Sequence, residues 1–174
     1  MTVSDIPAGP VPATTDADDV DTVRILQADG TFAPNADAEP YVALVEALDE
    51  GVLERFYRDM AVVRAFDVEA ANLQRQGQLG LWVPSYGQEA AQVGSGRALR
   101  PQDMAFPTYR EHGVAWTRGV DPLHVISLFR GVDNGGWDPV ATRFNLYTIV
   151  IGAQCLHATG YAMGLQRDGA EDAV

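Results

Sequence analysis

Residues 103–122 read DMAFPTYREHGVAWTRGVDP. The first five favour a short extended or buried piece, ended by Pro107. Tyr109 to Arg118 predicts a helix closed by Gly119. Asp121 and Pro122 are an N-cap and first-turn pair, so a further helix is expected to reach Arg130 and close at Gly131. Tyr109, Arg110 and His112 crowd the start of the first of these helices. A helix start beside an arginine favours an anionic group such as phosphate. The competing reading is a surface helix start whose arginine pairs with a carboxylate.

Upstream, Val52, Phe56, Met60, Val63, Phe66, Ala70 and Leu73 recur at intervals of three and four. That spacing predicts one apolar face of a long helix over 52–76, with Gly77 as its C-cap. Leu81 to Val83 reads as extended and stops at Pro84. Ser85 with Gln88 three residues on is a capping-box pattern, so a helix is expected from near Tyr86 to Leu99. Downstream, residues 131–147 carry three glycines, one proline and no clean period. A loop of that length inside a compact domain points to function or disorder. Thr148 to Leu165 predicts a buried helix packed through Gly152, Gly160 and Gly164, or one whose N-terminus faces a ligand. The final DAV suggests the entry to a strand.

The chain has 174 residues and a net charge of −12, and all 12 basic residues are arginine. The charge is uneven: residues 1–50 hold 11 acids against one arginine, and residues 51–174 hold 13 acids against 11 arginines. Residues 1–40 are expected to form an acidic, largely disordered extension, with a short hairpin over 22–33 turning at Asp29-Gly30. The remainder, 41–174, is the candidate domain. An acidic chain without lysine is a poor partner for nucleic acid or anionic membrane. No apolar run is long enough to span a bilayer. The start has neither a secretory signal nor a transit-peptide pattern, so a cytoplasmic location is expected. A single cysteine, Cys155, cannot make an internal disulfide and reads as a small buried hydrophobe. His112, His124 and His157 lack metal-ligand spacing. His124 reads as structural or solvated, and His157 as a satisfied core histidine. VGSGRA at 93–98 is neither a P-loop nor a dinucleotide fingerprint.

Three segments, taken together and in order, carry more than any one alone. YGQEAAQVGSGRAL (86–99), DMAFPTYREHGVAWTRGVDP (103–122) and IVIGAQCLHATGYAMGLQ (149–166) resemble the alpha subunit of thiamine-diphosphate-dependent 2-oxo acid dehydrogenases. The resemblance runs from about residue 52 to the end. It implies an α/β fold, of which this chain is the helix-rich N-terminal part of a three-layer αβα thiamine-diphosphate-binding domain. It implies that Tyr109 and Arg110 contact the cofactor's diphosphate. It also implies that Ile149 and Ile151 lie along the aminopyrimidine ring. His112 is a candidate catalytic residue whose role the resemblance leaves open. Some members carry a substrate-facing histidine ahead of the GQEA helix, where this chain has Leu81-Trp82-Val83-Pro84-Ser85. The implied reaction is oxidative decarboxylation of a 2-oxo acid, pyruvate first and a branched-chain acid second, with acyl transfer to a lipoyl group on an acyltransferase component.

The implied magnesium ion takes its ligands from a GDG motif expected just past residue 174. A beta subunit is implied as a separate chain in an alpha2beta2 heterotetramer. The expectation is therefore a fragment that neither binds the cofactor tightly nor turns over alone. A non-catalytic helical interaction module on the same scaffold is the alternative from another class.

Overall fold

The computed structural model describes residues 22–174; the part of the acidic extension before residue 22 lies outside them. The chain divides into two compact units, one ending at Glu54 and one running Arg55–Val174. In the first, Leu26 and Phe32 form an isolated antiparallel bridge. The turn between them is closed by Gly30 N–H to the Gln27 carbonyl at 2.9 Å, with the Asp29 carboxylate accepting from Thr31 N–H at 2.9 Å. A short 3-10 turn, Ala36–Ala38, leads into α1 (Glu39–Glu46).

Helices dominate the rest of the chain: α2 (Glu50–Arg75), α3 (Glu89–Ala98), α4 (His112–Thr117), α5 (Pro122–Arg130), the single turn α6 (Pro139–Thr142) and α7 (Ala153–Asp168). Among the described residues there is no strand, only isolated bridges, the second being a parallel one from Ala105 to Phe144. The α/β expectation is met only in its helix-rich part.

α2 and α5 form where the sequence pattern put them, because their signals are local. Asp121 accepts from Leu123 N–H at 2.8 Å as the N-cap of α5, and Gly131 ends it in the left-handed conformation. The core of the second unit gathers Ala70, Leu79, Trp82, Val114, Ala115, Val120, Val125, Phe129, Trp137 and Phe144. Residues 131–147 are therefore not an idle loop, since they deliver Trp137 and Phe144 to the interior.

Four expectations need correction. The helix expected from Tyr86 begins at Glu89. Its N-cap, Gln88, makes no side-chain cap bond: its Oε1 accepts from Gln92 at 3.0 Å, and the Ser85 N–H that a capping box would give to Gln88 goes to Asp67 at 3.0 Å. The Ser85 hydroxyl is buried without a hydrogen-bond partner. The Glu89 carboxylate turns back to Gly87 N–H at 3.1 Å and pairs with Arg64. The helix expected over Tyr109–Arg118 contracts to His112–Thr117, leaving Tyr109 and Arg110 in the approach to it. The expected buried helix from Thr148 starts at Ala153 and has no buried residue. Cys155 and His157, expected in the core, are exposed on α7.

Candidate functional site

The chain from Pro107 to His112 is folded around one carboxylate. Glu111 precedes α4, and its Oε2 accepts from Thr108 N–H at 2.8 Å, from the Thr108 hydroxyl at 2.7 Å and from Arg110 N–H at 3.3 Å. From α3, Gln92 donates to the Arg110 carbonyl at 3.1 Å and accepts from Gly113 N–H at 2.8 Å. One amide side chain thus fixes both sides of the turn. These bonds overturn the expected cause of anion binding here. α4 is six residues long, its Gly113 N–H is committed to Gln92, and a carboxylate sits at its N-cap. Of the two features expected to favour an anion here, these bonds leave the Arg110 guanidinium rather than the helix start.

Arg110 is half-buried. Its guanidinium donates to the Pro84 carbonyl and lies 6.0 Å from the centre of the Tyr109 ring. Among the described residues it has no carboxylate partner within ion-pair distance. Arg64, Arg97 and Arg100, by contrast, pair with Glu89, Asp59 and Asp103. The competing reading, an arginine neutralised by a carboxylate, is not what the geometry shows. A guanidinium with spare donors fits a phosphate group.

His112 is 3% exposed. Its Nε2 lies 3.0 Å from the Val83 carbonyl, which can only accept, so the proton sits on Nε2. Nδ1 then accepts from the Tyr147 hydroxyl at 2.9 Å. The ring stacks on Trp82, with centroids 4.3 Å apart and planes at 17°, and the Trp82 indole N–H donates to Asp67 at 3.0 Å. Burial drives the His112 pKa down to about 4, against the Val83 carbonyl and the nearby Asp67 and Glu111 charges. Burial also pushes the Tyr147 hydroxyl well above 10. His112 is a neutral ring with both nitrogens occupied, and proton transfer through it requires breaking one of those bonds.

The segment carrying Ile149 and Ile151 approaches the same turn. Thr148 N–H donates to the Thr108 carbonyl at 3.0 Å, so the two main chains meet at these residues, one before Tyr109 and one before Ile149. Ile149 and Ile151 are 58% and 82% exposed, and face outward rather than into the body. Tyr109, Arg110 and His112 are thus joined around one turn, with the isoleucines on the segment bonded to it. Sequence reasoning missed Tyr147, Gln92, Glu111 and Asp67. Tyr147 alone carried a signal, standing two residues before Ile149. A separate cleft of about 220 Å³ is bordered by Leu99, Met104, Phe106, Glu111, Phe144 and Val174, on residues other than Arg110 and the isoleucines. No cluster of three or more His, Cys, Asp or Glu suited to a metal ion occurs among the described residues. Nor is any described helix long and apolar enough to cross a membrane.

A family model for the dehydrogenase E1 component matches residues 57–174, and the chain belongs to that family. It is 42% identical over 149 residues to the 3-methyl-2-oxobutanoate dehydrogenase subunit alpha of Mycobacterium tuberculosis (strain ATCC 25618 / H37Rv), covering 86% of this chain and 39% of that protein. It is 33% identical over 147 residues to the pyruvate dehydrogenase E1 component subunit alpha of Staphylococcus epidermidis (strain ATCC 12228 / FDA PCI 1200), covering 84% of this chain and 38% of that protein. The corresponding subunit of Acholeplasma laidlawii is 34% identical over 116 residues, covering 67% and 34%. The chain therefore spans about 39% of the length of the first of these relatives.

Proposed function

We propose that this chain is part of the alpha subunit of a thiamine-diphosphate-dependent 2-oxo acid dehydrogenase, and that Arg110 binds the cofactor's diphosphate. The observation that carries the reading is the half-buried Arg110 guanidinium, unpaired with any described carboxylate. Tyr109 flanks it on the same turn. The main chain at Ile149 and Ile151, with their apolar side chains, supplies the wall for the aminopyrimidine ring. When bound, the cofactor supplies the carbon nucleophile and electron sink for decarboxylation. This chain's residues bind, orient and hold charge: Arg110 by paired N–H donors, Gln92 and Glu111 by fixing the turn that carries it. His112 is assigned to positioning rather than to proton transfer, because both its nitrogens are occupied.

The substrate class proposed is a branched-chain 2-oxo acid ahead of pyruvate. The 42% identity to a 3-methyl-2-oxobutanoate dehydrogenase subunit supports that order against 33–34% for the pyruvate subunits. A beta subunit in an alpha2beta2 assembly, a lipoyl-bearing acyltransferase and a cytoplasmic setting complete the proposal. Mg²⁺ takes its ligands beyond residue 174, and the helices described here form one part of a three-layer αβα domain. With Ile149, Val150 and Ile151 exposed, residues 1–174 alone hold the cofactor weakly and do not turn over.

In the complete protein, purified as the assembly it forms, Arg110→Ala is expected to raise the apparent thiamine diphosphate constant tenfold or more. An unchanged constant would overturn the placement of the diphosphate. Isothermal titration of the 174-residue chain with thiamine diphosphate and Mg²⁺ checks the second claim, and micromolar binding would refute it.

A further inference from the structure

We infer that His112 and Tyr147 form a positioning clasp that sets the Ile149–Ile151 segment against the Tyr109–Arg110 turn. The inference rests on the proposed reading of those two segments as cofactor-binding. Two bonds join them, and they bracket Arg110. Thr148 N–H meets the Thr108 carbonyl at 3.0 Å on one side, and the Tyr147 hydroxyl meets His112 Nδ1 at 2.9 Å on the other. The first is main chain and any sequence could make it. The second is chosen by side chains, and so fixes the register of 147–151.

The clasp has a third attachment. His112 Nε2–H donates to the Val83 carbonyl at 3.0 Å, and the next carbonyl, that of Pro84, accepts from the Arg110 guanidinium. One imidazole therefore ties the strap that holds Arg110's side chain to the tyrosine that precedes the isoleucines. The ring cannot swing to other partners. It stacks on Trp82, meets Phe129 edge-on at 5.8 Å, and Tyr147 itself packs on Phe129 and Trp137 at 5.9 and 5.6 Å. Both polar tips are held inside an aromatic cage, where losing one bond leaves the other atom unsatisfied. A positioning function predicts that breaking the clasp blurs the geometry of the cofactor site while the cage keeps the fold.

The test is made in the complete protein, with thiamine diphosphate as probe. Tyr147→Phe, which removes only the hydroxyl, is expected to raise the apparent cofactor constant about three- to tenfold, the equivalent of one neutral hydrogen bond. Activity at saturating cofactor should stay within about twofold. His112→Gln, which retains a donor for Val83 and an acceptor for Tyr147, should keep the constant within about twofold of the parent. Combining Tyr147→Phe with His112→Leu should add nothing beyond the larger single effect. A Tyr147→Phe protein with lowered Tm but an unchanged cofactor constant would overturn the clasp, provided Arg110→Ala still weakens binding. If Arg110→Ala also has no effect, the site reading itself fails and the clasp with it. Should Tyr147→Phe not fold, His112→Leu decides: a rise in the constant of threefold or more at retained Tm supports the clasp, and a parent-like constant rejects it.

Discussion

His112 shows how burial converts a familiar titratable residue into a structural one. The groups facing it pull in both directions: Asp67 and Glu111 favour its charged form, Arg110 opposes it, and loss of water outweighs them all. Its pKa falls from 6.5 in the unfolded chain to about 4 in the fold. Between those values the unfolded state binds a proton that the folded state refuses, so stability declines as pH falls from 6.5 to about 4 and the loss levels off below that. The gap corresponds to roughly 3 kcal/mol. Urea unfolding at pH 7, 5.5 and 4 should show this slope in the parent and a flatter one in His112→Gln. Equal slopes would mean that His112 is protonated in the fold. Asp59 and Asp67 make a related point, since both are buried on α2. Asp59 accepts from the Trp116 indole at 2.8 Å and from Arg97 at 2.8 Å. An apolar-stripe reading of 52–76 counts carboxylates as solvent-facing, and so could not see that two of the deepest positions are acids holding indoles.

At the level of elements, α3 meets α4 through two glycines. A Cβ placed on Gly96 would stand 2.1 Å from the Thr117 hydroxyl and 3.2 Å from Thr117 Cβ. One on Gly113 would meet Gln92 Cβ at 2.9 Å. Thr117 cannot easily turn away, because its hydroxyl is bonded to the Val114 carbonyl at 2.8 Å and its branched Cβ is stiff. Gly96→Ala gains about 1 kcal/mol of helix propensity, yet overpacking of this kind costs about 1–3 kcal/mol. The expected net is a lower Tm, with recovery when Thr117→Ser is added, since serine can rotate aside. A Gly96→Ala protein as stable as the parent would show that the two helices separate freely. The same pair of helices marks the limit of what could be read in advance. α2 and α5 were legible because their caps and periods lie within a few residues. The start of α3 was not, because a residue eighteen positions away, Asp67, captures the Ser85 N–H that the local capping box would have given to Gln88. The site divided likewise. The family resemblance pointed to Tyr109-Arg110 and Ile149-Ile151 as segments, whereas the Gln92, Glu111 and Tyr147 contacts around them exist only after folding.

Across the molecule, charge and packing are both uneven. The first 50 residues carry 11 of the 24 acids, so the part bearing Arg110 is close to neutral. Packing is light at α7, which has no buried residue, meets Phe106 through Tyr161 with centroids 5.4 Å apart, and leaves Leu156 and Met163 77% and 52% exposed. What holds α7 is its two ends. Before it stands the Thr148–Thr108 bond. After it, Ala173 N–H donates to the Asp103 carboxylate at 2.8 Å and its carbonyl accepts from Met104 N–H at 3.0 Å. The Arg100 guanidinium, with Ala173 N–H, holds Asp103 down at about pKa 2. That contribution is complete above the unfolded value of 3.8 and is lost as pH falls from there towards 2. A helix tethered at its ends and bare on its faces opens without global unfolding. Hydrogen exchange of the 174-residue chain near pH 7 should therefore find α7 amides opening at least about 2 kcal/mol more easily than those of residues 59–70. Asp103→Ala should loosen α7 further and leave residues 59–70 unchanged. Equal protection of the two helices in the parent would mean that α7 is held by its faces after all. Loosening of both by Asp103→Ala would mean that its C-terminal tether is part of the core.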